Sequence, residues 1–523
     1  MRHADATGWR SPAVIACLIV LWLGATAWMR PLMVPDEGRY VGVAWEMMRS
    51  GDWLTPTLNG LPFFHKPPLF YWITAGAMSV FGLHEWPARL APVLGASLGA
   101  FSLYLFVRRW SGERAALLTL VPLGVQPLFY VGGQFANLDM LVAGCISATI
   151  VLAAHAALCA HRALPYRRTL ALAYAMAAVG VLAKGLIGIV LPALVVGAWL
   201  VLLRRWRVLW ALVWWPGLLL FVLIAAPWFV AMQLRFPDFL DYFFVVQHFK
   251  RFSAGGFNNV QPFWFYPAVL LLFSLPWLPW LIKSLRRVQD GDDEQRAVRL
   301  LMLSWAGLVV AFFSLPQSKL VGYVLPAVPP LAALMAAGFA AGSPSARARR
   351  GWTVSAAVAG TLSLAAVIGL SVWPPHSLRD MARTLAEQRQ SAEPVVMVGD
   401  YYYDITFYAR LSAPPLVVED WSPAKVQERD NWRKELADAS RFAEAEAAAV
   451  LLQPAALPAA LCAARVGWVI GSKSTAEKYP FLQASELVSS VRDTRLWKVA
   501  ATTPAVLSAL GCEGTPNAGS ADR

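Results

Sequence analysis

Long apolar runs separated by short clusters of arginine and lysine recur along the first 373 positions, and the pattern changes at Trp373-Pro374-Pro375. Each run approaches the roughly 20 residues that a helix needs to cross hydrocarbon. They fall at about 12–29, 88–107, 115–132, 138–160, 169–183, 185–203, 208–232, 262–282, 298–315, 320–341 and 351–373, which predicts about eleven spanning helices. Beyond Pro375 the apolar runs shorten. Residues 394–399, 416–418 and 468–471 read as short buried strands, with helical stretches over 377–391 and 425–447 between them. The expected chain is a polytopic α-helical membrane domain over 1–373 followed by a small α/β soluble domain over 374–523. Pro454 and Pro458 argue against a twelfth span in the Ala-rich 451–465 segment.

Composition agrees, with 58% hydrophobic and 15% charged residues and a mean hydropathy of +0.50. A net charge of +13 could suggest nucleic acid, but its distribution points elsewhere. The basic groups are Arg108/Arg109/Arg114, Arg162/Arg167/Arg168, Arg204/Arg205/Arg207, Lys283/Arg286/Arg287/Arg296/Arg299 and Arg347/Arg349/Arg350. With a cytoplasmic N-terminus all five fall on the cytoplasmic side, the positive-inside pattern of an inner-membrane protein. The basic charge therefore sets topology, and no nucleic-acid partner is expected. The 30–87 and 233–261 loops and everything after Pro374 then share the opposite, periplasmic face. Ala25-Thr26-Ala27 resembles a signal-peptidase site, but the charged loop begins a few residues later, which favours an uncleaved first helix. Cys17, Cys145 and Cys159 read as core residues, whereas Cys462 and Cys512 share the external tail, where a disulfide is permitted.

That face also collects the candidate chemistry. Asp36, Glu37 and Arg39 follow the first span directly: either charges anchoring a helix at the interface, or a carboxylate base beside a guanidinium that grips phosphate. Lys66 could snorkel, but Pro67-Pro68 stiffens the backbone where its ammonium emerges. Asp139 stands at the mouth of the fourth span, where a carboxylate also serves as a plain cap. Lys184 interrupts apolar sequence. The first half of the 241–266 loop reads as an amphipathic interfacial helix carrying His248, and Lys319 and Tyr323 are spaced i, i+4 at the start of a span.

Taken in order, D-E-x-R-Y from Asp36, K-P-P-L…Y-W from Lys66, L-D-M around Asp139, A-K-G around Lys184, H-x-x-R-F from His248 and S-K-L-x-x-Y-x-L-P from Ser318 resemble the GT-C membrane glycosyltransferases. Within that class, the likeness is to the aminoarabinose transferases of lipid A and their protein-mannosyltransferase relatives. It covers residues 34–330 and implies a polyprenyl-phosphate-linked sugar donor, a lipid or glycan acceptor and a site opening beside membrane lipids. It further implies that Arg39, Lys66 and Tyr323 hold the donor phosphate, and that Asp36 and Asp139 line the reaction centre. Glu37, Lys184 and Lys319 are further substrate-site candidates.

Two positions depart from the family pattern. His65 stands where these enzymes usually carry a Glu that pairs with the His of H-x-x-R-F at a metal, so a zinc site would rest on His65 and His248. Val321 replaces the usual Pro after S-K-L. The implied reaction is inverting transfer to lipid A or another envelope glycolipid, with protein O-glycosylation as an alternative acceptor class. A lipid-sugar transporter is the reading from another class. It should show two related halves and charges at mid-membrane, and the sequence has neither.

Overall fold

The computed structural model describes residues 11–250, 259–286, 292–340 and 344–512, the side chains of 246–250 excepted. The chain forms two compact units. The first holds Met1–Pro31, Gly51–Thr55 and Phe64–Pro375; the second holds Leu32–Ser50, Pro56–Phe63 and His376–Arg523.

The first unit is helical. Six described helices are long and apolar enough to cross a membrane, or seven if the bent pair Phe265–Phe273 and Leu275–Arg286 counts as one span. The 71° bend in that pair lies at Ser274, next to Pro276, whose ring removes a helical N–H. Shorter apolar helices stand at Pro12–Gly24 and Ile187–Leu202, inside two of the expected runs. The 115–132 run divides into Glu113–Val125 and Pro127–Gly132, because Pro127 forces Gln126 into an extended conformation. Leu69–Phe81, within the expected 30–87 loop, is itself a helix that starts directly after Pro67-Pro68.

Leu138–His161 is the centre of this unit, with 83% of its most apolar window buried against 22% for Trp215–Arg235 and Ala346–Val372. Helices that stay apolar while exposed, as Leu218, Leu219, Val222 and Leu223 are, suit a hydrocarbon surround. The central helix packs closely on Leu90–Ser111 through small residues: a Cβ on Gly95 would strike the backbone of Leu141, and one on Gly144 the backbone of Gly95. Buried Arg89 donates to the carbonyls of Ala27 (2.7 Å), Arg30 (2.7 Å) and Pro31 (2.9 Å), satisfying a stretch that follows the first helix.

The second unit is built on a six-stranded sheet of order β5-β4-β3-β6-β8-β7. A separate hairpin of β1 (Thr57–Leu58) and β2 (Leu61–Pro62) precedes it. Strands β3 (Val395–Val398), β4 (Leu416–Val418), β5 (Leu451–Leu452) and β6 (Val466–Ser472) run parallel, and β7 (Glu486–Val491) and β8 (Thr494–Ala500) are antiparallel. Fully buried Val396, Val469 and Leu457, together with Trp497, form its core. Cys462 and Cys512 are joined in a disulfide.

Helix Asp36–Ser50 belongs to this unit. A Cβ on Gly38 would meet Tyr403, and the Leu32 amide donates to the Tyr408 hydroxyl at 2.8 Å. Buried Glu46, on the same helix, accepts from Thr57 Oγ1 (2.8 Å) and from the amides of Asn59 (2.7 Å) and Gly60 (3.0 Å), which holds the hairpin turn.

Candidate functional site

In the first unit, antiparallel helices Leu138–His161 and Arg167–Lys184 place the start of one beside the end of the other. A carboxylate in a first turn and an ammonium in a last turn both complement the helix dipole, and here they meet: Asp139 and Lys184 form an ion pair. Their side chains are 9% and 15% exposed. Asn137 caps the helix by accepting from the Asp139 amide at 2.9 Å, and its own amide donates to Asp139 Oδ2 at 3.1 Å. Lys184 can end its helix there because Gly185 follows at φ +84°, a conformation glycine adopts freely.

Tyr323 completes the group, with the Lys184 ammonium 4.3 Å from its ring centroid. Gly322 lies so close to the Asp139 carboxylate that a Cβ there would collide with it. Tyr266 approaches the same group and donates its hydroxyl to the Leu320 carbonyl at 3.1 Å. Three expected residues, Asp139, Lys184 and Tyr323, are thus brought together.

Lys319 is placed differently from the i, i+4 expectation. Its segment is extended, joined to residues 259–261 by the Val260–Ser318 bridge, and the following helical turn begins only at Val321. Buried Lys319 donates to the carbonyls of Gln261 (2.8 Å) and Pro316 (2.5 Å), so it clamps two segments and does not share a helical face with Tyr323. Lys66 is half-buried in the turn ahead of buried Pro67 and Pro68. His65 Nε2 is 2.8 Å from the Tyr242 hydroxyl. Helix Asp241–Lys250 forms as expected but with a wide, π-type winding, and the His248 side chain lies outside the described residues. No cluster of three His, Cys, Asp or Glu suited to a metal exists among the described residues. The zinc expectation at His65 and His248 therefore falls in part outside the described residues.

In the second unit, Asp36 and Arg39 sit one turn apart on their helix, 3.6 Å between carboxylate and guanidinium. Arg39 also pairs with Glu435 at 3.2 Å and lies 5.1 Å from the Tyr403 ring centroid. Tyr403 in turn donates to Glu435 at 2.7 Å. Burial works against the Arg39 charge, but Glu435, then Tyr403, Tyr40 and Asp36, outweigh it and hold the guanidinium charged well above the usual arginine range. Asp36 is the most solvent-exposed member of the trio. Glu37 is fully buried and accepts from the Met33 amide at 2.8 Å, a structural cap. Glu435 and Tyr403 were not foreseen. They come from a helix and a loop more than 350 positions away, and no motif in the sequence marks them.

Residues 65–230 match the family described as dolichyl-phosphate-mannose-protein mannosyltransferase. The undecaprenyl phosphate-alpha-4-amino-4-deoxy-L-arabinose arabinosyl transferase of Aeromonas hydrophila is 33% identical over 379 residues, 71% of this chain and 66% of that protein. The corresponding transferase 1 of Sodalis glossinidius is 36% identical over 61% of this chain and 58% of its own length. The chain therefore spans less than two thirds of the length of these relatives. The crystal structure of ArnT from Cupriavidus metallidurans bound to undecaprenyl phosphate superposes with a TM-score of 0.79 at 25% identity, covering 94% of this chain and 98% of that one.

Proposed function

Because this chain belongs to the GT-C family of membrane glycosyltransferases that includes the aminoarabinose transferases and protein mannosyltransferases, we propose that it transfers a sugar from a polyprenyl-phosphate donor to an envelope acceptor. The acceptor is lipid A or a related glycolipid, and the sugar is 4-amino-4-deoxy-L-arabinose or a close analogue. The observation that carries this reading is the superposition, over nearly the whole of both chains, on a transferase crystallised with undecaprenyl phosphate. It is supported by the acid, ammonium and phenol gathered at Asp139, Lys184 and Tyr323.

The chemistry follows from the leaving group. The donor departs as a phosphate monoester carrying developing negative charge. Cations held in surroundings poor in water stabilise that charge more in the transition state than in the ground state. Lys66 and Arg39 are assigned this work, and the Tyr323 hydroxyl donates to the phosphate. The acceptor attacks the anomeric carbon from the opposite face, so its configuration inverts. A hydroxyl acceptor gives up its proton to Asp36, which is half-buried beside Arg39, while Asp139, fixed by Lys184 and Asn137, orients the acceptor. A phosphate acceptor is already anionic and needs no base.

The membrane arrangement belongs to the same proposal: about eleven spans in the inner membrane, a cytoplasmic N-terminus and a periplasmic domain after residue 374. The Cys462–Cys512 disulfide supports an oxidising surround for that domain.

The test is mass spectrometry of lipid A and polar lipids from source cells lacking the gene, complemented with the parent or with Lys66→Ala. A sugar-sized mass on lipid A that disappears on deletion and returns only with the parent is the expected result. Unchanged lipid A with accumulated polyprenyl-phosphate sugar moves the acceptor to protein or another glycan, protein being the reading favoured by the match to protein mannosyltransferases. No change in either pool overturns the transferase reading.

A further inference from the structure

The sheet of the second unit changes direction between β3 and β6. The chain lays down β3, β4 and β5 successively to one side, then returns to place β6 on the other side of β3. β3 and β6 are parallel, so their carboxyl ends open on the same edge. Where strand order reverses in this way the outgoing connections part, and the crevice left between them is where open α/β sheets bind ligands.

A cavity of about 330 Å³ occupies that crevice, within the roughly 300–1,000 Å³ typical of small-ligand sites. Its wall from the end of β3 is formed by Asp400 and Tyr402. The chain reaches them through Gly399, whose φ of +75° turns it away from the sheet. Ser474 and Lys478 follow β6, and Asp493 and Thr494 come from the β7–β8 turn.

The lining selects a ligand class. Asp400 and Asp493 oppose Lys478, and Lys473 stands 3.9 Å from Asp493, so the charges nearly cancel. A phosphate would meet two carboxylates and too little unopposed cation to hold it. Hydroxyls dominate the remainder: Ser472 and Ser474 lie 2.8 Å apart, and Tyr402 is hydrogen-bonded to Thr494. Carboxylates, hydroxyls and an ammonium together offer the mixed donors and acceptors that adjacent sugar hydroxyls require. Tyr402 adds an aromatic surface for the C–H face of a ring.

We propose that this crevice is a binding site for one uncharged sugar residue. The site does not rest on the transferase reading, since none of its residues has a role there. It gives the second unit a means of gripping a glycan.

Saturation-transfer NMR on the full-length protein in detergent tests it, using methyl glycosides of glucose, galactose and N-acetylglucosamine, with inorganic phosphate and glycine as separate probes. Saturable transfer to at least one glycoside is expected. Ser474→Phe, which fills the exposed mouth, should abolish it. Asp400→Asn should weaken it about tenfold, the loss of one hydrogen bond to a charged group. Both positions are exposed, so an unchanged thermal transition in the variants verifies folding. Transfer that survives both substitutions, tighter binding of phosphate or glycine in the crevice, or no transfer to any glycoside each overturns the proposal.

Discussion

Replacing Lys184 by Met breaks the Asp139–Lys184 pair from one side. With the two side chains 9% and 15% exposed, the carboxylate is left with the Asn137 amide at 3.1 Å and little water. Removing one partner of a buried pair costs about 3–5 kcal/mol, and the surviving Asn137 bond puts the expected cost at the lower end, about 3 kcal/mol. Asp139→Asn should cost less, about 1–2 kcal/mol, because the ammonium keeps the Tyr323 ring at 4.3 Å. The double variant contains neither charge and should return to within about 1 kcal/mol of the parent, a coupling of about 3 kcal/mol. Unfolding in mixed micelles, followed by tryptophan fluorescence, measures all four corners of the cycle alongside transferase activity. Stability should recover in the double variant while activity does not, because Asp139 is assigned to the acceptor. A coupling near zero refutes the buried pair, and recovery of activity together with stability refutes the role of Asp139.

Gly322→Ala should push the Asp139 carboxylate aside, destabilising the protein by about 1–3 kcal/mol; its activity loss should exceed that of Val321→Ala or Val324→Ala on the same turn, and equal losses would refute the contact. Glu46→Gln should loosen residues 56–63, because one carboxylate accepts from Thr57, Asn59 and Gly60; limited proteolysis should cut there faster, with a cost of about 2 kcal/mol in unfolding. Burial pushes the Asp404 carboxyl up to about 6, despite bonds from the Leu378 amide and Ser377, against about 4 when unfolded. The folded state then binds this proton more tightly, so stability falls as pH rises from about 4 through 6. Asp404→Asn should gain on the parent across that window in thermal unfolding, and a difference independent of pH would refute the shift.

The sequence by itself determined the class of the molecule and the order of its chemistry. Apolar run lengths and basic loops depend only on local composition, so they specify apolar helices before any packing is known. Asp139 and Lys184 could be placed at the same end of adjacent helices because an antiparallel pair with a short connection leaves no alternative. Tertiary structure decided what local pattern does not contain. Pro127 and Pro276 broke apparent single spans by a local effect of their rings, whereas pairing with residues 259–261 drew Lys319 out of the helix that its spacing to Tyr323 suggested. Arg39 found Glu435 and Tyr403, and helix Asp36–Ser50 joined the unit that carries the sheet. Ion pairs and close contacts between residues hundreds of positions apart are fixed by burial and by the folded path of the chain, and neither is written in the spacing of the residues that make them.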